Sequence, residues 1–221
     1  MSDRRLRHDV ESNLHRILAA AAEVFAGQGL SATLADVAKH AGVGVGTLYR
    51  KFANKDDLIY EVYAGRIRQT EELAREASEQ PDVWAAFVAF LERSIEDLAV
   101  DKGLRELGIG GYTESLGWAR GTPPERLAKL LTDNHGAMGV HLGKLVNRAK
   151  EAGVLRADFE ASDMMVLSLS IQSAISYGGP DHPEFYRRVL TFILDGLQPA
   201  RAAPTPVPVP ALTEKGSTGQ G

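Results

Sequence analysis

The chain contains no cysteine. That excludes disulfides, thiolate nucleophiles, cysteine-based zinc sites and iron–sulfur clusters together. Long apolar runs are missing as well. The best candidate, Met164 to Ile175, is short and broken by Ser168, Ser170, Gln172 and Ser173, whereas a membrane span needs roughly 18 apolar residues. The opening Met1-Ser2-Asp3-Arg4-Arg5 has no apolar region of signal-peptide type. The expectation is a soluble, cytoplasmic protein with no membrane partner. Alternating apolar and polar residues are not sustained anywhere, which argues against a sheet. Positive charge is not in excess: 25 Lys and Arg meet 29 Asp and Glu, a net charge of -4 with the six His neutral. Taken over the whole chain, that balance argues against a nucleic-acid partner, because phosphate neutralisation needs positive charge.

The charge is not spread evenly. Residues 1–55 hold eight basic and five acidic side chains, a net of +3, and the remainder holds 17 and 24, a net of -7. A basic head precedes an acidic body.

What fills the 221 residues is helical periodicity. Val10, Leu14, Ile17, Leu18, Ala21, Val24 and Phe25 share one face of a first helix, ended by Gly27 to Gly29. Thr33 starts a second, with Asp36 placed for a capping box, and Gly42 stops it. A third runs from Val45 to Phe52. Asn54 caps a fourth, with Asp57 at its third position. Val83 to Val100 forms a fifth. The glycine-rich Leu104 to Thr122 reads as one or two short helices with loops. Pro123 and Pro124 open a long helix to Gly153, and Asp158 to Tyr177 and Glu184 to Leu197 supply two more. Residues 199–221 hold five of the ten prolines and no aromatic residue, which reads as a disordered, partly extended tail.

Chemistry concentrates in Thr33 to Lys55, TLADVAKHAGVGVGTLYRKFANK. Two short helices meet at Gly42, whose missing Cβ permits the left-handed turn of a helix-turn-helix. Ala38 faces the junction, and Val43 and Leu48 pack the second helix back towards Phe25. Val45, Gly46, Thr47, Tyr49, Arg50 and Lys51 are then left to solvent. A polar, basic face on a short helix is what entry into the DNA major groove requires. The glycines of Gly42-Val43-Gly44-Val45-Gly46 do not form a dinucleotide fingerprint: a helix precedes them and Tyr49 stands where the third glycine belongs. Motifs of hydrolases, nucleotide-binding loops and zinc peptidases are absent. His135 and His141 are six apart, a poor spacing for shared metal ligation. The sequence gives no reason to expect a metal, a cofactor or catalysis.

The runs ILAAAAEVFAGQGLSATLADVAKHAG and AGVGVGTLYRKFANKDDL resemble the signature of the TetR family of one-component bacterial repressors. The resemblance is specific over residues 10–66 and rests on length and helical pattern over 67–198. It implies an all-α fold with a three-helix DNA-binding head, residues 1–66, and an effector-binding and dimerisation body, 67–198; the tail, 199–221, lies outside the resemblance. It implies phosphate contacts by Thr47 and Tyr49, and by Lys55 at the start of the fourth helix. It places Thr33 at the DNA backbone, Val45 and Gly46 near base edges, and Arg50 and Lys51 at the groove or its walls. Gly44 departs from the serine common in the family. Glycine still caps but brings no hydroxyl, which leaves more specificity to thymine methyl contact or DNA shape. For Arg4, Arg5 and Arg7, a solvated arm and a minor-groove contact both stay open.

In the body, Trp84, Phe87, Phe90, Tyr112, Trp118, His135, Met138, Met164, Met165 and Gln172 combine aromatic bulk, methionine and polar handles, as small-molecule sites between helices do. The resemblance puts the effector cavity there. Ser168, Ser170, Ser173 and Ala174 form a small-residue surface, and Ile171, Ile175, Val189, Phe192, Ile193 and Leu197 add apolar burial. The last two helices are the expected seam of a homodimer, with packing inside the chain as an alternative use of the same residues that does not exclude it. The resulting expectation is a ligand-responsive repressor, released from a near-palindromic double-stranded operator by a small-molecule effector. The alternatives are a small-molecule enzyme using the same helical body, or a dimeric interaction protein without DNA function.

Overall fold

The computed structural model describes residues 2–112 and 125–199. Among them are nine helices and no strand: α1 Ser2–Gln28, α2 Leu34–Ala41, α3 Val45–Lys51, α4 Lys55–Glu79, α5 Val83–Val100, α6 Lys102–Tyr112, α7 Glu125–Glu151, α8 Asp163–Gly178 and α9 Phe185–Leu197. No described helix is long and apolar enough to cross a membrane.

The contacts divide into two units, and the division falls inside α4, α5 and α7. The first comprises residues up to Glu76 with Glu96 to His141. Its core is the face predicted for α1, with Ile17, Ala21, Val24 and Phe25 buried, joined by Val37 and Ala38 of α2, Leu48 of α3, Leu58, Ile59 and Tyr63 of α4 and Leu107 of α6. Burying side chains of this size contributes about 1.5–3 kcal/mol each, so the short α2 and α3 are held by packing more than by their own propensity. Asn54 accepts the Asp57 N–H at 2.9 Å and caps α4.

The second unit comprises Ala77 to Ile95 and the residues from Leu142 onward. Trp84 stacks on Phe87 with ring centroids 5.7 Å apart, and Phe87 meets Phe159 edge-on at 6.1 Å. Arg148 donates to the Ser78 and Gln80 carbonyls at 2.6 and 2.8 Å, satisfying acceptors around the end of α4. Two helix starts differ from the sequence reading. α9 begins at Phe185, one residue late. α8 begins at Asp163, five residues later than expected. The intervening stretch is turned: the Phe159 N–H bonds the Arg156 carbonyl at 3.2 Å, and Glu160 N–H bonds the Asp163 carboxylate at 2.9 Å. The turn drives Phe159 into the core, so an apolar residue read as helical periodicity is a buried loop residue instead. In the glycine-rich region α6 ends at Tyr112, and residues 113–124 lie outside the described part, as do 200–221 of the tail.

Candidate nucleic-acid interface

Thr33 and Asp36 form a reciprocal capping box at the start of α2. The Asp36 N–H donates to Thr33 Oγ1 at 3.2 Å, and the Asp36 carboxylate accepts the Thr33 N–H at 2.8 Å and the Thr33 hydroxyl at 2.6 Å. The hydroxyl bond, then the backbone bond, hold the Asp36 carboxyl below its usual pKa. α2 ends at Gly42, whose φ of 66° is left-handed. There the Gly42 N–H reaches the Lys39 carbonyl at 3.3 Å and the Val43 N–H reaches the Ala38 carbonyl at 3.0 Å, the two bonds of a Schellman motif. The chain leaves this turn to enter α3 at once. Gly44 is the N-cap with no side-chain bond, and its carbonyl accepts the Thr47 N–H at 2.8 Å.

Leu48 is fully buried and pins α3 to the core. With that residue inward, Val45, Gly46, Tyr49 and Arg50 are exposed and Thr47 and Lys51 half-exposed. Tyr49 is 60% exposed. Arg50 donates to Thr47 Oγ1 at 3.2 Å, which steadies both on one side of the helix. The face carries two cations, a phenol, a hydroxyl and a half-open valine, with no acidic side chain on α3 to repel phosphate.

Thr33 is exposed beside this face, but its hydroxyl is already engaged by Asp36. Lys55 opens α4 half-buried. Its ammonium donates to the Leu30 carbonyl at 2.5 Å and lies 5.8 Å from the centre of the Phe25 ring. Lys55 is thus tied to the α1–α2 turn, a partner that local sequence did not show. Sequence reasoning also missed what holds that turn from the other side. Glu106 of α6 accepts the Leu30 N–H at 2.6 Å. Buried Asp101, ahead of α6, accepts the Leu104 N–H at 2.9 Å and the Tyr63 hydroxyl at 2.8 Å, and pairs with Arg66. Burial and the adjacent Asp101 carboxylate raise the Tyr63 hydroxyl pKa well above its usual value. An aspartate three residues before Leu104 is a readable N-cap signal; the reach of Glu106 across 76 residues is not.

The residues expected to line an effector cavity do not all behave alike. Phe87 and Gln172 are buried and Trp84, Met138 and Met165 half-buried. Gln172 donates to Ser168 Oγ at 3.1 Å, and its carbonyl oxygen has no hydrogen-bond partner. His135 is exposed on α7, which makes it a poor lining residue. The side chain of Tyr112 and all of Trp118 lie outside the described residues. Along the expected dimer seam, Ser170 and Phe192 are exposed and Val189 and Ile193 half-buried, but Ile171 and Ala174 are buried within their own chain. The large side chains that α8 does expose are Val166 and Tyr177.

Residues 17–62 match the profile described as bacterial regulatory proteins, tetR family. Residues 82–199 match that of the transcriptional regulator SbtR-like C-terminal domain. Among solved structures, a TetR transcription regulatory protein from Mycobacterium vanbaalenii is 28% identical, with a TM-score of 0.53 over 87% of this chain and 99% of that one. A TetR transcriptional regulator from Streptomyces coelicolor is also 28% identical, with a TM-score of 0.56 over 85% and 99%. The transcriptional regulator FadR from Bacillus subtilis, solved in complex with stearoyl-CoA, shares the fold at 17% identity, with a TM-score of 0.55 over 84% and 100%. The second profile alone spans more than half of the sequence, and with the first covering residues 17–62, the chain belongs to the TetR family of DNA-binding bacterial transcriptional regulators.

Proposed function

We propose that the chain works as a homodimeric repressor that leaves a near-palindromic operator when a small molecule binds its body. The observation that carries this reading is α3: a helix fixed by buried Leu48 and the left-handed Gly42 turn, presenting Val45, Gly46, Thr47, Tyr49, Arg50 and Lys51 outward. Two such helices, one per subunit, would enter successive major grooves with centres about 34–36 Å apart or a little more. Thr33 and Gly44 flank the same face. In functional terms residues 1–66 are the reader and 67–198 the sensor and dimerisation body, a division supported by the separate profile matches at 17–62 and 82–199.

The pairing surface is best placed on the outer face of α8 and α9. Val166, Ser170, Ser173 and Tyr177 recur at helical spacing, and Tyr177 is 75% exposed. Ser170 and Ser173 turn their hydroxyls back to the Val166 and Leu169 carbonyls at 2.8 and 3.1 Å, so a partner helix would meet little unsatisfied polarity. Phe192 of α9, 54% exposed under Arg188, extends the patch. Of the residues read from the sequence as the seam, this proposal uses Ser170 and Phe192 and leaves out Ile171 and Ala174, which are buried inside the chain.

Effector responsiveness is supported by the acidic, helical body and by a regulator of the same fold that takes up stearoyl-CoA. The ligand needs only to bind the non-DNA state more tightly, and that difference sets the response. Its site is proposed among Trp84, Phe87, Met165 and Gln172. Selection of bound duplexes from random DNA by the full-length protein, followed by effector-screened release, tests the whole reading. An enriched near-palindrome is expected, and no enrichment at low salt would sink it.

A further inference from the structure

Leu30 is held at both ends of its own residue. Glu106 accepts its N–H at 2.6 Å, and the Lys55 ammonium donates to its carbonyl at 2.5 Å. Leu30 is buried, so an amide released from Glu106 must find another partner. The neighbouring Gly29 is shaped to this contact. Its φ of 78° is left-handed, and a Cβ there would stand 2.5 Å from the Glu106 carboxylate oxygen and 2.9 Å from its carboxyl carbon. The carboxylate occupies the space that any other residue at 29 would fill.

The clamp is anchored in turn. Glu106 lies one turn beyond Lys102, 4.0 Å from its ammonium, on a helix whose first turn is fixed by Asp101. Asp101 is bound by Tyr63 and Arg66, both on α4. Polar contacts therefore run from the middle of α4 through Asp101 and α6 to Leu30, and return to α4 at its first residue, Lys55. A displacement of α6 along this circuit changes the support of the turn that precedes α2 and of the lysine that opens α4.

We infer that Glu106 is a positioning residue for operator binding: it touches no DNA itself, but through Leu30 it sets where Thr33 and Lys55 stand. The inference rests on the operator-binding reading above. It makes reach, rather than charge, the property that matters at 106. Glutamine keeps the length and an acceptor oxygen, whereas aspartate keeps the charge and falls about 1.5 Å short, one carbon–carbon bond.

The test measures operator affinity of the full-length dimer for wild type, Glu106→Gln, Glu106→Asp and Glu106→Ala, beside melting temperature and hydrogen exchange of the Leu30 amide. Glu106→Gln should bind within a few-fold of wild type and keep Leu30 protected. Glu106→Asp and Glu106→Ala should lose about tenfold or more, about the worth of one lost hydrogen bond, with faster Leu30 exchange. If the alanine variant does not fold, the Asp and Gln pair still decides. Wild-type affinity in Glu106→Asp, equal loss in Glu106→Gln, or a fall in melting temperature with unchanged affinity would overturn the inference. Failure of wild type itself to bind any selected duplex would instead overturn the operator reading, and is read separately in the same titration.

Discussion

The hydroxyl of Tyr63 donates to Asp101 Oδ1 at 2.8 Å, with both residues buried. Gly103 lets it pass: a Cβ there would stand 2.2 Å from the Tyr63 oxygen, 3.0 Å from the Phe25 carbonyl and 3.1 Å from Tyr63 Cζ. Tyr63→Phe should cost about 1.5–3 kcal/mol, the usual loss for a bond to a charged acceptor. Gly103→Ala should cost less in the Tyr63→Phe background than in wild type, since the worst contact is gone. Urea unfolding of the four proteins gives the coupling, and strict additivity would count against this geometry.

Tyr63 also fixes a pH dependence. Its folded pKa is raised, by burial and then by Asp101, so the stability it contributes is present below the unfolded value of about 10 and is lost as pH rises past it. Wild type should lose stability above that pH more steeply than Tyr63→Phe. Parallel alkaline profiles would refute the assignment.

Asp36 has the opposite sign. Its carboxyl is depressed below 3.8 by the Thr33 hydroxyl and amide, so the contribution is present above 3.8 and disappears as pH falls through the lower folded value. The stability gap between wild type and Asp36→Asn, followed by thermal melting, should narrow on acidification below 3.8. A gap that widens there would be the wrong sign.

Gly42 has open space around a built Cβ but a φ of 66°. Gly42→Ala is therefore a local backbone penalty of about 1–2 kcal/mol with no clash against other residues. Gly42→Asn should cost less, because asparagine tolerates the left-handed region. Chemical denaturation orders the two, and an alanine variant as stable as wild type would contradict the turn.

Lys55→Ala should weaken all duplexes alike and lower the salt slope by about one. Because Lys55 also holds the Leu30 carbonyl, the head should lose stability as well. An unchanged affinity at every salt concentration would remove Lys55 from the interface.

Tyr177→Arg places charge on the exposed α8 stripe and should yield a helical monomer in sedimentation. A variant that remains dimeric would move the seam elsewhere.

The head was legible because its determinants are local. Thr33 and Asp36 are three apart, Gly42 follows a periodic run, and Leu48 has one apolar direction to point. The family resemblance at 10–66 rested on those same residues. The start of α8 was not legible, because Phe159 is buried by a turn and not by a helix face. Which side of α8 faces its own chain was not legible, because α8 is apolar or small nearly all round and spacing does not say whether Ile171 or Val166 points inward. The exposure of His135 was not legible for a similar reason, as helical position alone fixes none. The Glu106 to Leu30 contact joins residues 76 apart, and no local pattern encodes it.

The proposed operator binding depends on α3 side chains that the fold does not need. Fluorescence anisotropy of the selected operator with wild type and a Tyr49→Ala, Lys51→Ala double variant tests this most directly, with dimer state and melting temperature measured alongside. Two lost contacts of about 1.4 kcal/mol each predict affinity reduced by about a hundredfold, with an intact dimer and an unchanged melting temperature. Wild-type affinity in the double variant would contradict it.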